Sequence, residues 1–492
     1  MTSLNSRVFP RLYRDSVALM AIASSTEARD GVDRVGAVMA TPANIAILDE
    51  SAMLPTGLTA APDDLVIVVR GDTDEIVAEA LDAAEAALTS VESARRNEDR
   101  PAATIGEGIQ AMAAEDSDRP ATMAAISIPG TYAAVVAERA LRDGLHVFCF
   151  SDNVPVEDEI RVKGLARERR LLHMGPDCGT AIIDGVPLGF ANVVRRGTVG
   201  IVAASGTGAQ EVSRLLDLAG AGISQLIGVG GRDLSAEVDG LMTDLALDLL
   251  EDDADTGVIA IVSKPPAGPV ADRLLARLAA IAQKGTPTIA CFLGAEDTDG
   301  EVTVRGTLEG GAIAAAAAAG HPLQVDAASG LPTTAPPGRV LGLYTGGTLA
   351  SEAKLLLKRG GVTDAEVLDL GDDEYTAGKP HPMIDPEARA TRIAAAGSDA
   401  GVGILLLDLV IGYGASPDPA TPVVEAIGAA RAAAAADGRE LLVIGSVCGT
   451  PADPQGLDRQ RGLLEGAGVV LTPTNAAAAR LAATLHTTGA RA

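Results

Sequence analysis

The 492-residue chain is long enough for about three or four domains, and its 47% hydrophobic content supplies their cores. A net charge of −27, 2% aromatic residues and no tryptophan exclude a nucleic-acid reader, which needs clustered cations and stacking platforms. Four scattered cysteines with no CxxC pair exclude a disulfide framework and a thiolate zinc site. The apolar runs are strand-length, far short of a membrane span, and the opening residues lack the apolar stretch of a secretory signal, so a cytoplasmic location is expected.

In chain order, residues 8–13 read as a strand, 15–26 as a helix capped by Asp15, 32–40 as a strand, 42–49 as a short helix, 64–70 as a strand and 74–94 as a long amphipathic helix. This makes an N-terminal α/β domain over 1–95. The polar stretch 96–120 is a linker at both ends with room for a short helix between. Strands at 121–128, 146–150 and 171–174 alternate with helices at 131–143 and 156–168, giving a Rossmann-like domain over 121–197. Further strands follow at 198–204, 224–229, 256–262 and 288–293, and an Ala-rich helix at 311–320 closes a domain over 198–324. The Pro/Thr/Ser/Gly segment 325–338 is the clearest linker. The last domain, 339–492, repeats the rhythm with strands at 366–370, 403–410 and 440–447. Strands that alternate with helices and are apolar along their length mean parallel sheets covered on both faces. The fold class is therefore α/β, with several parallel-sheet Rossmann or flavodoxin-like domains.

Two segments look like copies of one device. Residues 199–216 and 340–357 each run from a β-branched strand through a small-residue tetrad into a helix. The tetrads are Ser205-Gly206-Thr207-Gly208 and Thr345-Gly346-Gly347-Thr348. Each would present N–H groups and hydroxyls at the positive end of a helix, a natural place for an oxyanion. One such turn is a helix cap; two copies with the same flanks read as an internal duplication of a flavodoxin-like domain, with both dipoles aimed at one anionic group. Ligands of such sheets sit at the carboxyl ends of the strands, where both tetrads, Lys264 and the loops at 411–414 and 447–450 fall.

The stretches Phe150-Ser151-Asp152-Asn153, Met174 to Thr180 (MGPDCGT) and Ala204 to Gly208 resemble the α-subunit of succinyl-CoA synthetase in order and spacing, and the last domain resembles the carboxy-terminal domain of its β-subunit. A fuller resemblance is to the FdrA family of acyl-CoA-synthetase-like proteins, carried by ATPANIAILDES, SDNVPVEDEI, MGPDCGT, GIVAASGTG, GVGGRDLS, VSKPPA, YTGGTLASEA, LGDDEYTAGKPHPMIDP, DLVIGYG and GTPADPQG across nearly the whole chain. That resemblance implies a carbamoyltransferase subunit that moves a carbamoyl group between an oxalurate- or oxamate-like amide and phosphate, working with partner subunits. The tetrads would correspond to the paired helices that face a phosphorylated histidine in the superfamily. The matching stretch 293–312 contains no histidine, residues 1–95 contain no glycine-rich CoA-binding turn, and no ATP-grasp half is present. Three functions stay open: a carbamoyltransferase, an acyl-CoA synthetase or acyl-phosphate ligase, and a non-catalytic anion-binding assembly subunit.

On these grounds the expected anion-binding residues are Ser205, Gly206, Thr207, Gly208, Thr345, Gly346, Gly347 and Thr348, with phosphate or carbamoyl phosphate as ligand. Arg232, Lys264 and His381 are the candidate catalytic residues: a bidentate anion clamp, a strand-end cation and an acid–base imidazole held between two prolines. A loop-surface role for Arg232 and a structural role for His381 are equally open. Asp152, Asn153 and Lys379 are candidate substrate contacts. Asp372, Asp373 and Glu374 read as a solvated acidic turn rather than a magnesium site, and Cys178 as a buried structural thiol rather than a nucleophile. No resident cofactor or metal is expected, CoA is not expected to bind tightly, and homo- or hetero-oligomers are expected.

Overall fold

The computed structural model describes residues 3–12, 16–95, 102–116, 118, 120–325, 331–376 and 380–489. The chain divides into two compact units, 1–111 and 112–492.

The first unit contains β1 (Ser3–Phe9), α1 (Ser16–Glu27), β2 (Val32–Met39), α2 (Pro42–Glu50), β3 (Leu65–Gly71) and α3 (Asp74–Arg95). Its sheet order is β1-β3-β2, with β3 antiparallel to both neighbours. β3 is central because its run LVIVV can be buried on both faces; Leu65 to Val69 are fully inaccessible. One face packs on Leu19 and Ile22 of α1 and Leu81 and Leu88 of α3, the other on Leu48 of α2 and Met53. The first strand runs Ser3–Phe9 rather than over 8–13. Pro10 has no N–H for the ladder, so pairing with β3 ends at Phe9↔Leu65. The expected cap Asp15 lies outside the described residues. α4 (Ile105–Glu115) is the short helix within 96–120.

The second unit opens with β4 (Met123–Ile126), α5 (Gly130–Arg142), β5 (His146–Cys149), α6 (Val156–Glu168) and β6 (His173–Met174), whose strands form the parallel sheet β4-β5-β6. Next comes a hairpin, β7 (Thr180–Ile183) and β8 (Val186–Gly189). Its two-residue turn, Asp184-Gly185, has φ of 50° and 80°, as a tight hairpin of this sense demands.

A seven-stranded sheet then forms from that hairpin and β9 (Arg196–Ala204), β10 (Ile223–Gly228), β11 (Val258–Ser263), β12 (Thr288–Phe292) and β13 (Val302–Arg305). Its helices are α7 (Gly206–Ala219), α8 (Leu241–Asp252), α9 (Gly268–Ala282) and α10 (Leu308–Ala318). The last sheet is built from β14 (Arg339–Tyr344), β15 (Glu366–Asp369), β16 (Val402–Val410), β17 (Leu442–Cys448) and β18 (Val470–Thr472). The helices α11 (Gly347–Arg359), α12 (Asp373–Thr376), α13 (Glu387–Ala396), α14 (Ala420–Ala436), α15 (Leu457–Gly466) and α16 (Asn475–Gly489) accompany it.

The duplication is explicit in the strand orders. The first sheet carries β10-β9-β11-β12-β13 and the second β15-β14-β16-β17-β18, all parallel. Both are the order 2-1-3-4-5 of flavodoxin-like folds, whose ligand crevice opens at the carboxyl end of strand one. β9 and β14 occupy that position, and each is followed by a tetrad. One apolar core spans both domains, from Ile201 and Leu215 to Val340, Leu349 and Ala482. A polar clamp reinforces it. Asp453 accepts the Val193 N–H at 2.7 Å, the Asn192 side-chain amide at 2.8 Å and the Thr450 N–H at 2.7 Å.

Candidate functional site

Each tetrad folds as its residues dictate. Ser205 sits extended at φ −166° and caps α7 by accepting the Gly208 N–H at 3.0 Å. The second tetrad lacks a side-chain cap of its own, since Gly346 holds the cap position. Its polar groups are satisfied from elsewhere. Thr207 Oγ1, from the other domain, accepts the Thr348 N–H at 3.4 Å, and Ser205 Oγ and Thr348 Oγ1 share a hydrogen bond of 2.6 Å. The two helix starts therefore touch. A side chain at Gly346 would stand 3.0 Å from Thr207, so glycine is what permits this approach. Neither Gly206 nor Gly347 has a positive φ; a side chain at Gly347 would overlap the Asp369 carboxyl, whereas one at Gly206 would first meet Thr180 at 3.4 Å, an ordinary contact distance.

A buried ion pair holds the second turn. Asp408, near the carboxyl end of β16, accepts N–H bonds from Thr345 at 2.9 Å and Gly346 at 2.8 Å, and the Thr345 hydroxyl at 3.1 Å. Arg389 of α13 donates to Asp408 Oδ1 at 2.7 Å and to its carbonyl at 2.6 Å. Both side chains are almost fully buried. Burial pushes the Asp408 carboxyl up and the Arg389 guanidinium down, and their mutual attraction opposes both shifts.

Around the helix starts lie groups from three segments. Thr180 donates to the Phe190 carbonyl at 2.6 Å and stands 3.4 Å from where a side chain on Gly206 would begin. Phe190 contacts the Phe150 ring on one side, centroids 5.5 Å apart, and His381 on the other, at 5.7 Å. Three of the five phenylalanines, Phe148, Phe150 and Phe190, gather here, since Gly189 also closes on Phe148. His381 Nδ1 accepts the Met383 N–H at 3.2 Å, which leaves the proton on Nε2, close against Gly371. Burial pushes its pKa down to about 4, so it is a neutral donor rather than a cation. Asp369 ends β15 beside Tyr344 and accepts the Gly371 N–H at 3.0 Å. Its carboxyl is raised to about 6, chiefly by burial, and Lys264 is the opposing cation.

Of the expected residues, the eight tetrad positions are thus brought together, with Lys264 and His381 around them. Lys264 is exposed at the end of β11, where its charge acts on the Asp369 carboxyl. Arg232 lies in a different cluster. Its guanidinium donates to the Val154 carbonyl at 2.7 Å and pairs with Glu159 at 2.9 Å, beside a buried Lys163 bound to Glu159 and Asp233. Asp152 and Asn153 are exposed at the carboxyl end of β5, their backbone packed against Gly130. Lys379 lies outside the described residues. Burial raises the Cys178 thiol to about 12, so it is not a thiolate at neutral pH.

Sequence reasoning missed Asp369, Asp408, Arg389, Thr180 and Phe190. Asp408 left a signal: it is the one charge in the strand VGILLLDLV. Phe190 left a weaker one, as an aromatic in a chain nearly devoid of them.

Paired 2-1-3-4-5 sheets joined at their first helices form a duplicated α/β fold that resembles the CoA-binding and ligase domains of succinyl-CoA-synthetase-like proteins. A family model described as CoA-ligase matches residues 343–485, one described as CoA binding domain matches 194–293, and one described as AllF, heavy metal-associated domain, matches 1–104. The chain belongs to the family of the uncharacterized protein YahF of Escherichia coli (strain K12), with 39% identity over 505 residues covering 95% of each protein. The mitochondrial succinate–CoA ligase [ADP-forming] subunit alpha-2 of Trichomonas vaginalis is 32% identical over 149 residues, 30% of this chain and 47% of that subunit. Among solved structures, the apo form of acetyl-coenzyme A synthetase 1 from Ca. Korarchaeum cryptofilum aligns over 76% of this chain and 84% of that one, at 16% identity and a TM-score of 0.33.

The residues present do not fit the heavy metal in the third model's description. Soft metals take thiolate, thioether or imidazole ligands; residues 1–104 contain neither cysteine nor histidine, and Met39 and Met53 are packed into the two apolar cores of this unit. The Asp64 carboxylate there is occupied by the N–H groups of Arg11 and Ala61. Among the described residues no helix is long and apolar enough to cross a membrane.

Proposed function

We propose that the chain carries out acyl-phosphate chemistry of the acyl-CoA synthetase kind at the junction of α7 and α11. The observation that supports this most is the 2.6 Å contact between Ser205 and Thr348, which sets two helix N-termini against one point. First-turn N–H groups have no carbonyl behind them within the helix, and two converging dipoles favour a dianion. Lys264 adds a cation at the rim. In this reaction a thiol attacks the acyl carbon, the C–S bond forms, the bond from that carbon to the bridging phosphate oxygen breaks, the thiol proton passes to solvent, and phosphate leaves into the helix pair. The protein's part is positioning and charge stabilisation.

A narrower reading is favoured by one observation: the stretch 293–312 contains no histidine to carry a phosphoryl group. An acyl phosphate received ready-made needs none. Carbamoyl phosphate is such a compound, and in this reading the chain is an FdrA-type carbamoyltransferase subunit that acts with partner subunits in the cytoplasm on an oxamate-like amide. His381, as a neutral Nε2–H donor beside Phe190, suits a carbonyl oxygen.

Calorimetry of the full chain with phosphate, carbamoyl phosphate and CoA tests both, followed by turnover with acetyl phosphate plus CoA and with carbamoyl phosphate plus oxamate. Saturable phosphate binding is expected. CoA binding with thioester formation selects the synthetase, and carbamoyl transfer selects the other. Absence of any phosphate binding overturns the shared premise.

A further inference from the structure

We propose that Asp369 is a built-in counter-anion of the α7–α11 junction, a carboxyl that lies against the start of α11 in the free chain and takes up a proton when an oxyanion binds. This rests on the reading of that junction as an oxyanion site. The geometry is specific. Asp369 closes β15 in register with Tyr344, so it stands at the root of the second tetrad. A methyl group at Gly347, the first residue of α11, would overlap its Oδ2. Its Oδ1 is tethered by the Gly371 N–H. A carboxylate so placed serves the helix dipole when no ligand is present.

A second anion cannot enter beside an ionised carboxylate without like-charge repulsion in a half-buried setting. The surrounding charges decide how that conflict resolves. Lys264, from the other domain, favours the carboxylate, while Asp408 and Asp372 disfavour it. Asp408 is itself committed to Arg389. Tyr344 is a phenol whose pKa burial pushes well up, and His381 is neutral, so neither supplies a compensating charge near neutral pH. Lys264 is a single exposed cation facing two anionic groups, so the conflict is relieved by protonation of Asp369, which converts it from a competitor into a hydrogen-bond donor to the bound oxygen. With its carboxyl already raised to about 6, the proton is available close to neutral pH. Linkage fixes the sign. Binding raises the proton affinity of Asp369, so affinity for the anion falls as pH rises above about 6.

The test uses sulfate, which does not titrate in this range, with the full chain from about pH 5.5 to 8.5, read by calorimetry in two buffers of different ionisation heat. In the wild type, sulfate affinity falls by up to about tenfold per pH unit at the alkaline end, and close to one proton is taken up per sulfate bound. Asp369→Asn binds sulfate about tenfold or more tightly than wild type at the alkaline end, with that slope and proton uptake removed. Asp369→Ser serves as a second variant if the first does not melt cooperatively. A wild-type slope retained in the folded variants, or variants that bind no tighter, overturns the proposal and leaves the oxyanion site standing. Failure of the wild type to bind sulfate or phosphate at any pH removes the oxyanion site itself, and the proposal with it.

Discussion

Asp408→Ala probes how the second turn is held. In the folded chain this carboxylate takes the N–H groups of Thr345 and Gly346, the Thr345 hydroxyl and the Arg389 guanidinium, all out of solvent. Stranding the buried arginine costs about 3–5 kcal/mol, and each orphaned N–H adds about 1–3 kcal/mol if it stays dry. These terms overlap, because a relaxed loop admits water. The expected loss is about 5 kcal/mol, a large share of what one domain possesses. Asp408→Asn keeps one acceptor oxygen but turns the other into an NH2 donor that faces another donor, the Gly346 N–H or the Arg389 guanidinium, and removes the counter-charge of Arg389, so a loss of about 3–5 kcal/mol is still expected. The double variant Asp408→Ala with Arg389→Met removes the stranded cation and recovers about 2 kcal/mol of the single variant's loss. The chain has no tryptophan, so urea unfolding is followed by far-ultraviolet circular dichroism, with hydrogen exchange locating the affected segment. If Asp408→Ala melts within about 1 kcal/mol of wild type, the ion pair does not hold the turn and the reasoning fails.

Gly206→Val and Gly347→Val should each abolish phosphate binding while melting cooperatively, because one side chain projects toward Thr180 and the other overlaps Asp369; Ser205→Ala should cost only about 1 kcal/mol of binding. Glu352, fully buried between α11 and the first N–H of α10, is raised by burial from 4.5 to about 7. The folded chain therefore holds a proton that the unfolded chain has lost, so this group's contribution is present below about pH 4.5 and lost as pH rises through 7. Glu352→Gln should flatten that dependence by about 3 kcal/mol across the window, seen as a smaller fall in melting temperature from acid to neutral pH. Equilibrium dialysis with zinc or copper(I) should find no stoichiometric metal whose retention depends on residues 1–104. Stoichiometric metal lost on removing that segment would refute this.

The strand–helix rhythm was legible because parallel strands buried on both faces leave unbroken apolar runs, and the duplication because both copies kept small residues where two helices must touch. The Asp184-Gly185 hairpin was also written in the chain, yet its short strands have little periodicity to announce them. The first strand was misplaced by a few residues, since antiparallel pairing to β3 overrides local propensity. The site was half legible. Tetrads are local patterns, whereas Asp369 and Arg389 act only through neighbours distant in sequence. Arg232 shows the converse: an arginine in a glycine-rich loop suits an anion, and its ion-pair partner Glu159, 73 residues away, leaves no local sign in the sequence.

The clamp centred on Asp453 bears on assembly as much as on shape. A site divided between separate molecules forms only as often as the two meet. Here the halves are tethered by a short connection and fastened again through Asn192 and Val193. Each half sees the other at an effective concentration on the order of millimolar or more, whatever the amount of protein in solution. Dilution therefore should not dissolve the junction, and any oligomer the chain enters is free to serve a purpose other than completing it.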